Sequence, residues 1–238
     1  LSRRFAVVAL DQRGHGESAK PDNGYDFVTV AADLKGFSQA LGADRPLLVG
    51  HSWGGNVALE LAATDPSTTR GLCLVDGGVI EVSAYPGMSL EEARKELAPP
   101  DLSSLTVDQL LERVRSHWPV RASTATRLEE FVLASFEVQD DGTIRPRLGR
   151  ANHMKVVDAL WRHRPSTIYS SVTCPVLLMP ARQQGEQQPA GRRVGREESI
   201  ARAESLLPVS KTVWLEDSVH DVPLQRPELV AQTIEDHI

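Results

Sequence analysis

Ser52 stands in Val49-Gly50-His51-Ser52-Trp53-Gly54-Gly55, a Gly-x-Ser-x-Gly pattern. A serine hydroxyl is a weak nucleophile until it is held in the open beside a base, and a tight turn between a strand and a helix presents it that way. The flanking residues fit such a turn. Pro46-Leu47-Leu48-Val49-Gly50 is a short apolar run bounded by proline and glycine, as in a buried parallel strand. Residues 56–63 then place Val57, Leu61 and the small Ala58 and Ala62 on a face that can pack against a sheet. Gly50, Gly54 and Gly55 are the small neighbours that a strand turning at once into a helix requires. The backbone N–H of Trp53 is left free at the helix N-terminus, where developing negative charge is favoured. A chance match in a glycine-bearing loop is the competing reading, and the strand before and helix after weigh against it.

The elements around this turn alternate. Phe5-Ala6-Val7-Val8-Ala9-Leu10 reads as a buried strand that ends in Asp11 and breaks into Gln12-Arg13-Gly14-His15-Gly16-Glu17-Ser18. Asp26 opens a helix with Phe27, Val30, Ala31, Leu34 and Leu41 on one face, and Gly42 closes it. Gly71-Leu72-Cys73-Leu74-Val75 is another buried strand, with Asp76 at its C-terminal end. Strands alternating with helices predict an α/β fold with a doubly wound, mostly parallel sheet, whose sites lie at the C-terminal ends of the strands. Asp11, Ser52 and Asp76 all stand at such ends.

From residue 79 to residue 171 this rhythm stops. Ser89-Leu90-Glu91-Glu92 and Thr106-Val107-Asp108-Gln109 match the capping box that begins a helix. Residues 127–136 and 152–161 read as further amphipathic helices, and Asp141-Gly142 between them predicts a tight turn or hairpin. This block, too long for a loop, is expected to be a mostly helical insertion between core segments 1–78 and 172–238. The sheet resumes at residues 174–179. Residues 183–195 read as a polar loop, 197–207 as a helix, 211–215 as a strand, and 216–223 as a loop before a final helix with Pro227 in its first turn.

Bulk properties narrow the partners. The chain has 238 residues, 24% charged and 41% hydrophobic, with a net charge of −6. That balance gives no reason to expect nucleic acid or an anionic membrane as partner, and no apolar run approaches a membrane span. Cys73 and Cys174 lie in or beside apolar runs, so both read as buried thiols, which favours a reducing cytoplasm. Neither a metal-ligand cluster nor a phosphate loop is visible, so no cofactor or metal is implied.

Taken together, residues 11–18, 50–55, 74–78, 175–179 and 219–227 make the chain resemble the α/β-hydrolases, in the cap-bearing branch with a serine nucleophile and esterase- or lipase-like members. The resemblance implies Ser52 as nucleophile, Trp53 N–H as an oxyanion-hole donor, His220 as general base, and residues 79–171 as a cap over the pocket. His220 follows a strand and precedes the last helix, in the family's chain order of nucleophile, acid and histidine. Read alone, it is also compatible with an exposed loop histidine.

The acid departs from the commoner family pattern, which expects aspartate near Gln184. An amide cannot stabilise an imidazolium as a carboxylate does, so the expectation moves to Asp76, used by some branches, with Glu186 as the alternative and Asp217 and Asp221 behind them. Asp76 could instead cap backbone N–H groups in the turn at Gly77-Gly78. Asp11 and Arg13 are expected to hold their glycine turn. A second departure concerns the family's earliest strands and its His-Gly loop, which donates the second oxyanion N–H. Neither is in this sequence, so an N-terminal segment is expected to precede it.

The resemblance implies a serine hydrolase that cleaves a small, fairly apolar carboxylic ester, lactone or thioester through an acyl-enzyme. Carbon–carbon bond hydrolysis and cofactor-free perhydrolysis remain open, as does a small-molecule receptor of weak or no catalysis. Met88, Trp118, Phe131, Met154 and Trp161 either line an apolar pocket or form the insertion's own core.

Overall fold

A computed structural model describes residues 1–117, 122–182 and 190–238. Its frame is a four-stranded parallel sheet in the order β1 (Leu47–His51), β2 (Gly71–Val75), β5 (Val176–Met179), β7 (Ser210–Thr212). A two-stranded parallel pair, β6 (Ala181–Arg182) with β8 (Leu215–Glu216), continues beyond it.

Successive strand residues point to opposite faces, so both faces can be covered. Leu72, Leu74, Val176 and Leu178 pack with Ala58, Leu59, Leu61 and Ala62 of α2 (Trp53–Thr64), and with Ala31 of α1 (Phe27–Ala40). Cys73, Val75, Leu177 and Met179 pack on the other face. Their partners are Val222 of α8 (Val222–Gln225) and Val230 and Ile234 of α9 (Pro227–Glu235). These are the two covered faces expected of a doubly wound α/β sheet. Strand β2 is buried at all five positions, which fits its unbroken apolar sequence.

Helix starts follow their caps. The Asp26 side chain accepts from Thr29 N–H. The expected capping boxes form at Ser89, ahead of α3 (Leu90–Glu96), and at Thr106, ahead of α4 (Val107–His117). Then come α5 (Ala122–Leu133), a hairpin of β3 (Phe136–Val138) with β4 (Ile144–Pro146), and α6 (Arg150–Arg162). Leu105, Leu110 and Ile144 form a small core here, with Val132, Leu133 and Phe136 against it. Phe131 is exposed and Met88, Met154 and Trp161 are half-buried; Trp118 lies outside the described residues.

Four expectations are corrected. Residues 5–10 form no strand, and Val7 and Val8 are 54% and 58% exposed. An apolar run becomes a strand only when a neighbour takes its backbone hydrogen bonds, and none of the described strands pairs with it. Leu41 caps α1 rather than packing on its buried face and is half exposed. Residues 211–215 are not one strand: β7 pairs with β5 and β8 with β6. The helix read from residue 197 is α7 (Ala190–Leu206), so the last part of the expected loop is helical. Among the described residues no helix is long and apolar enough to cross a membrane.

Candidate active site

The site is built where β1 and β2 end side by side. Ser52 follows β1 at φ 53° and ψ −125°, a region that non-glycine residues adopt at a cost of about 1–3 kcal/mol. The turn is held by Ser52 N–H donating to Val75 O at 3.0 Å, and by Gly55 N–H donating back to Ser52 O at 2.9 Å. Asp76 ends β2 at φ 42°, with its N–H donating to Met179 O at 3.0 Å. Two strained residues thus meet at adjacent strand ends.

Glycines make that approach possible. A Cβ on Gly50 would lie 2.4 Å from Gly54 O, and one on Gly77 would lie 2.3 Å from Ser52 O. Both obstacles are backbone, so neither can rotate away. Gly77→Ala is expected to destabilise the fold by about 1–3 kcal/mol and to lower kcat by displacing Ser52 from its neighbours at the strand ends. Thermal unfolding and single-turnover kinetics on the same sample check both effects.

His220 bridges the two strand ends. Its Nδ1 lies 2.6 Å from Asp76 Oδ2 and its Nε2 lies 2.8 Å from Ser52 Oγ. Asp76 carries no proton to give as a carboxylate, so Nδ1–H donates to it and Nε2 is left to accept the Ser52 hydroxyl proton. The Asp76 hydrogen bond raises the pKa of His220 above its ordinary value, against the opposing effect of burial.

The loop that presents His220 is tied from several sides. Ser218 N–H donates to Arg182 O at 3.2 Å, and Val219 N–H donates to Gln225 Oε1 at 2.8 Å. His51, the residue before Ser52, donates Nε2–H to His220 O at 2.8 Å. Burial lowers the pKa of His51 against the raising effect of this bond, and the favoured neutral ring still keeps the one N–H that the bond uses. Sequence reading missed His51 because a histidine beside the serine looks like turn filler; its reach to residue 220 is visible only in the fold.

Asp76 is the sequence-expected acid that the structure brings to His220. Its side chain is 4% exposed, and its second oxygen, Oδ1, accepts from Ala181 N–H at 2.9 Å and from Arg196 Nη1 at 2.8 Å. Glu186 and Gln184 lie outside the described residues. Asp11 holds the glycine turn by accepting from Glu17 N–H, whereas the Arg13 side chain reaches out of it and forks onto both oxygens of Asp33 in α1 at 2.7 and 2.8 Å. Trp53 opens α2, where its N–H has no carbonyl one turn back to bond, and its ring stacks on His15 at 5.6 Å between centroids.

A buried polar network behind the site was also missed. Asn56 Oδ1 accepts from Gly78 N–H at 2.8 Å, while its Nδ2 donates to Ile80 O at 2.9 Å and to His163 Nδ1 at 3.0 Å. His163 Nε2 donates in turn to Glu60 at 3.0 Å. The signal was present in α2, where Asn56 and Glu60, four residues apart, interrupt an apolar face.

Comparison with known proteins bears on the family and the fold. A family model described as "Alpha/beta hydrolase family" matches residues 1–233. The chain is 28% identical over 246 residues to a 2-(acetamidomethylene)succinate hydrolase of Mesorhizobium japonicum, a match covering 100% of this chain and 80% of that protein. Among solved structures, E-2-(acetamidomethylene)succinate hydrolase superposes with a TM-score of 0.73 at 24% identity, covering 94% of this chain and 78% of that one. An esterase from Exiguobacterium antarcticum superposes with a TM-score of 0.62 at 21% identity, covering 95% and 78%. With the family matched over nearly all its length and the sheet and turn to go with it, the chain belongs to the alpha/beta hydrolase family.

Proposed function

We propose that the protein is a serine hydrolase in which Ser52 is the nucleophile, His220 the general base and Asp76 the acid. The observation that carries this reading is the continuous hydrogen-bonded path from Asp76 Oδ2 through His220 to Ser52 Oγ. His220 Nε2 takes the hydroxyl proton as Ser52 Oγ attacks a carbonyl carbon, and the imidazolium is stabilised by Asp76. The Trp53 N–H donates to the oxyanion of the tetrahedral intermediate. Collapse expels the leaving group, protonated from His220 Nε2, and leaves an acyl-Ser52. Water, deprotonated by the same nitrogen, then releases the acid.

Residues 79–171 are proposed as a cap over a core made of 1–78 and 172–238. A small carboxylic ester, lactone or thioester is the first substrate class to test. The whole-chain match to a hydrolase whose named substrate bears a succinate unit favours a second class, acyl compounds that carry their own carboxylate. The buried, unpaired thiols of Cys73 and Cys174 fit a reducing compartment, and the cytoplasm is the proposed location.

A panel of p-nitrophenyl esters, lactones, vinylogous diketones and carboxylate-bearing enamides, assayed with the full chain and with Ser52→Ala, tests the reading. Turnover lost in the variant supports it. No turnover of any class, with tight binding of one of them, would replace it with the receptor reading.

The pH profile has a definite sign. His220 must be neutral to accept the proton, so kcat/KM rises with pH along a limb centred above 6.5, the ordinary histidine value. Stability moves the other way, since a raised folded-state pKa stabilises below the unfolded value and that contribution fades as pH rises through the folded one. A limb centred below 6.5 would contradict the pairing with Asp76.

A further inference from the structure

The two oxygens of Asp76 have different company. Oδ2 faces His220, whereas Oδ1 accepts from Ala181 N–H and from Arg196, a residue of α7 that reaches across from another element. One guanidinium nitrogen, Nη1, donates both to Asp76 Oδ1 and to Ala181 O, at 2.8 Å each. The carboxylate is therefore clamped between a cation on one side and the imidazole on the other.

We propose that Arg196 is a positioning residue that fixes which Asp76 oxygen faces His220 and, through that carboxylate, sets the pH at which His220 becomes a competent base. This rests on the reading of Asp76 as the triad acid. A carboxylate this buried needs a partner for its charge even while His220 is neutral, and Arg196 supplies one. The same cation lies behind the carboxylate when His220 becomes an imidazolium, and there it opposes the second positive charge. The groups that face His220 are the Ser52 hydroxyl and His51 from the end of β1, Asp76 from the end of β2, Arg196 from α7, and Asp221 from its own loop. Arg196 is the charged side chain among them whose effect on the imidazolium is unfavourable and whose removal leaves all three triad members in place.

A group that only braced the fold around Asp76 would, on removal, weaken activity at every pH. A group that tunes His220 would move the limb. The probe is a fluorophosphonate, whose rate of attachment to Ser52 needs neutral His220 and no knowledge of the substrate. In Arg196→Met the acidic limb of the labelling rate is expected to rise by about half a unit to one unit, the scale for one partly screened unit charge. Arg196→Lys keeps a cation able to donate to the same two acceptors, and its limb is expected to return toward that of the parent. Should Arg196→Met fail to fold, Arg196→Gln, neutral but still a donor, carries the same expectation of a raised limb. An unshifted limb with a uniform loss of rate, or an equal shift in Met and Lys, would overturn the proposal. Asp76→Asn, run alongside, separates the two levels: full labelling there would overturn the acid assignment itself, whereas lost labelling with an unshifted Arg196 limb would overturn only the role of Arg196.

Discussion

Replacing Ser52 by alanine is expected to lower kcat by about six orders of magnitude, with a melting temperature close to that of the parent. The size follows from chemistry rather than from packing. Without Oγ no acyl-enzyme forms, and His220 and Trp53 can only assist water from positions set for a serine oxygen. Melting changes little because the backbone at residue 52 is held by bonds from its own N–H and carbonyl, to Val75 and Gly55, which alanine keeps. A variant that retained a tenth of the parent rate would show that another residue attacks the substrate.

Asp76→Asn is expected to cost about four orders of magnitude in kcat, and the surroundings of Oδ1 explain why. Ala181 N–H and Arg196 both donate to that oxygen, so an asparagine must leave its carbonyl oxygen there and turn its NH2 toward His220. A donor facing Nδ1 makes that nitrogen the acceptor and puts the proton on Nε2, where it blocks transfer from Ser52. The amide is thus worse than a lost charge, because it selects the wrong tautomer. Glu186→Gln is expected to cost far less, and the opposite ranking in kcat/KM would move the acid away from Asp76.

The legibility of the fold differed by element for physical reasons. The serine turn could be read because its demands are local: an apolar run, small residues and an amphipathic continuation within a dozen positions. Capping boxes at Ser89 and Thr106 were legible for the same reason, since each joins residues three apart. Residues 5–10 have the apolar character of a strand, but pairing belongs to a neighbour and not to the run itself. The boundary at 211–215 failed similarly, because β7 and β8 pair with different strands.

Within the site, Ser52 and His220 were placed by motif and family order. Asp76 was reached by asking what a glutamine at position 184 cannot do. Arg196 was invisible, because it fell between the polar loop read at 183–195 and the helix read from 197, and nothing local marks a guanidinium for a carboxylate 120 residues earlier. His51 and the Asn56–His163–Glu60 network share that long range, although the polar interruption of the apolar face of α2 was a usable sign of the latter.

The most direct measurement is the mass of the peptide containing Ser52 after treatment of the full chain with a fluorophosphonate, compared with His220→Ala under the same conditions. One phosphonyl adduct is expected, located on Ser52 in the parent and strongly reduced in the variant. An adduct on another residue, or one on Ser52 formed equally fast without His220, would contradict it.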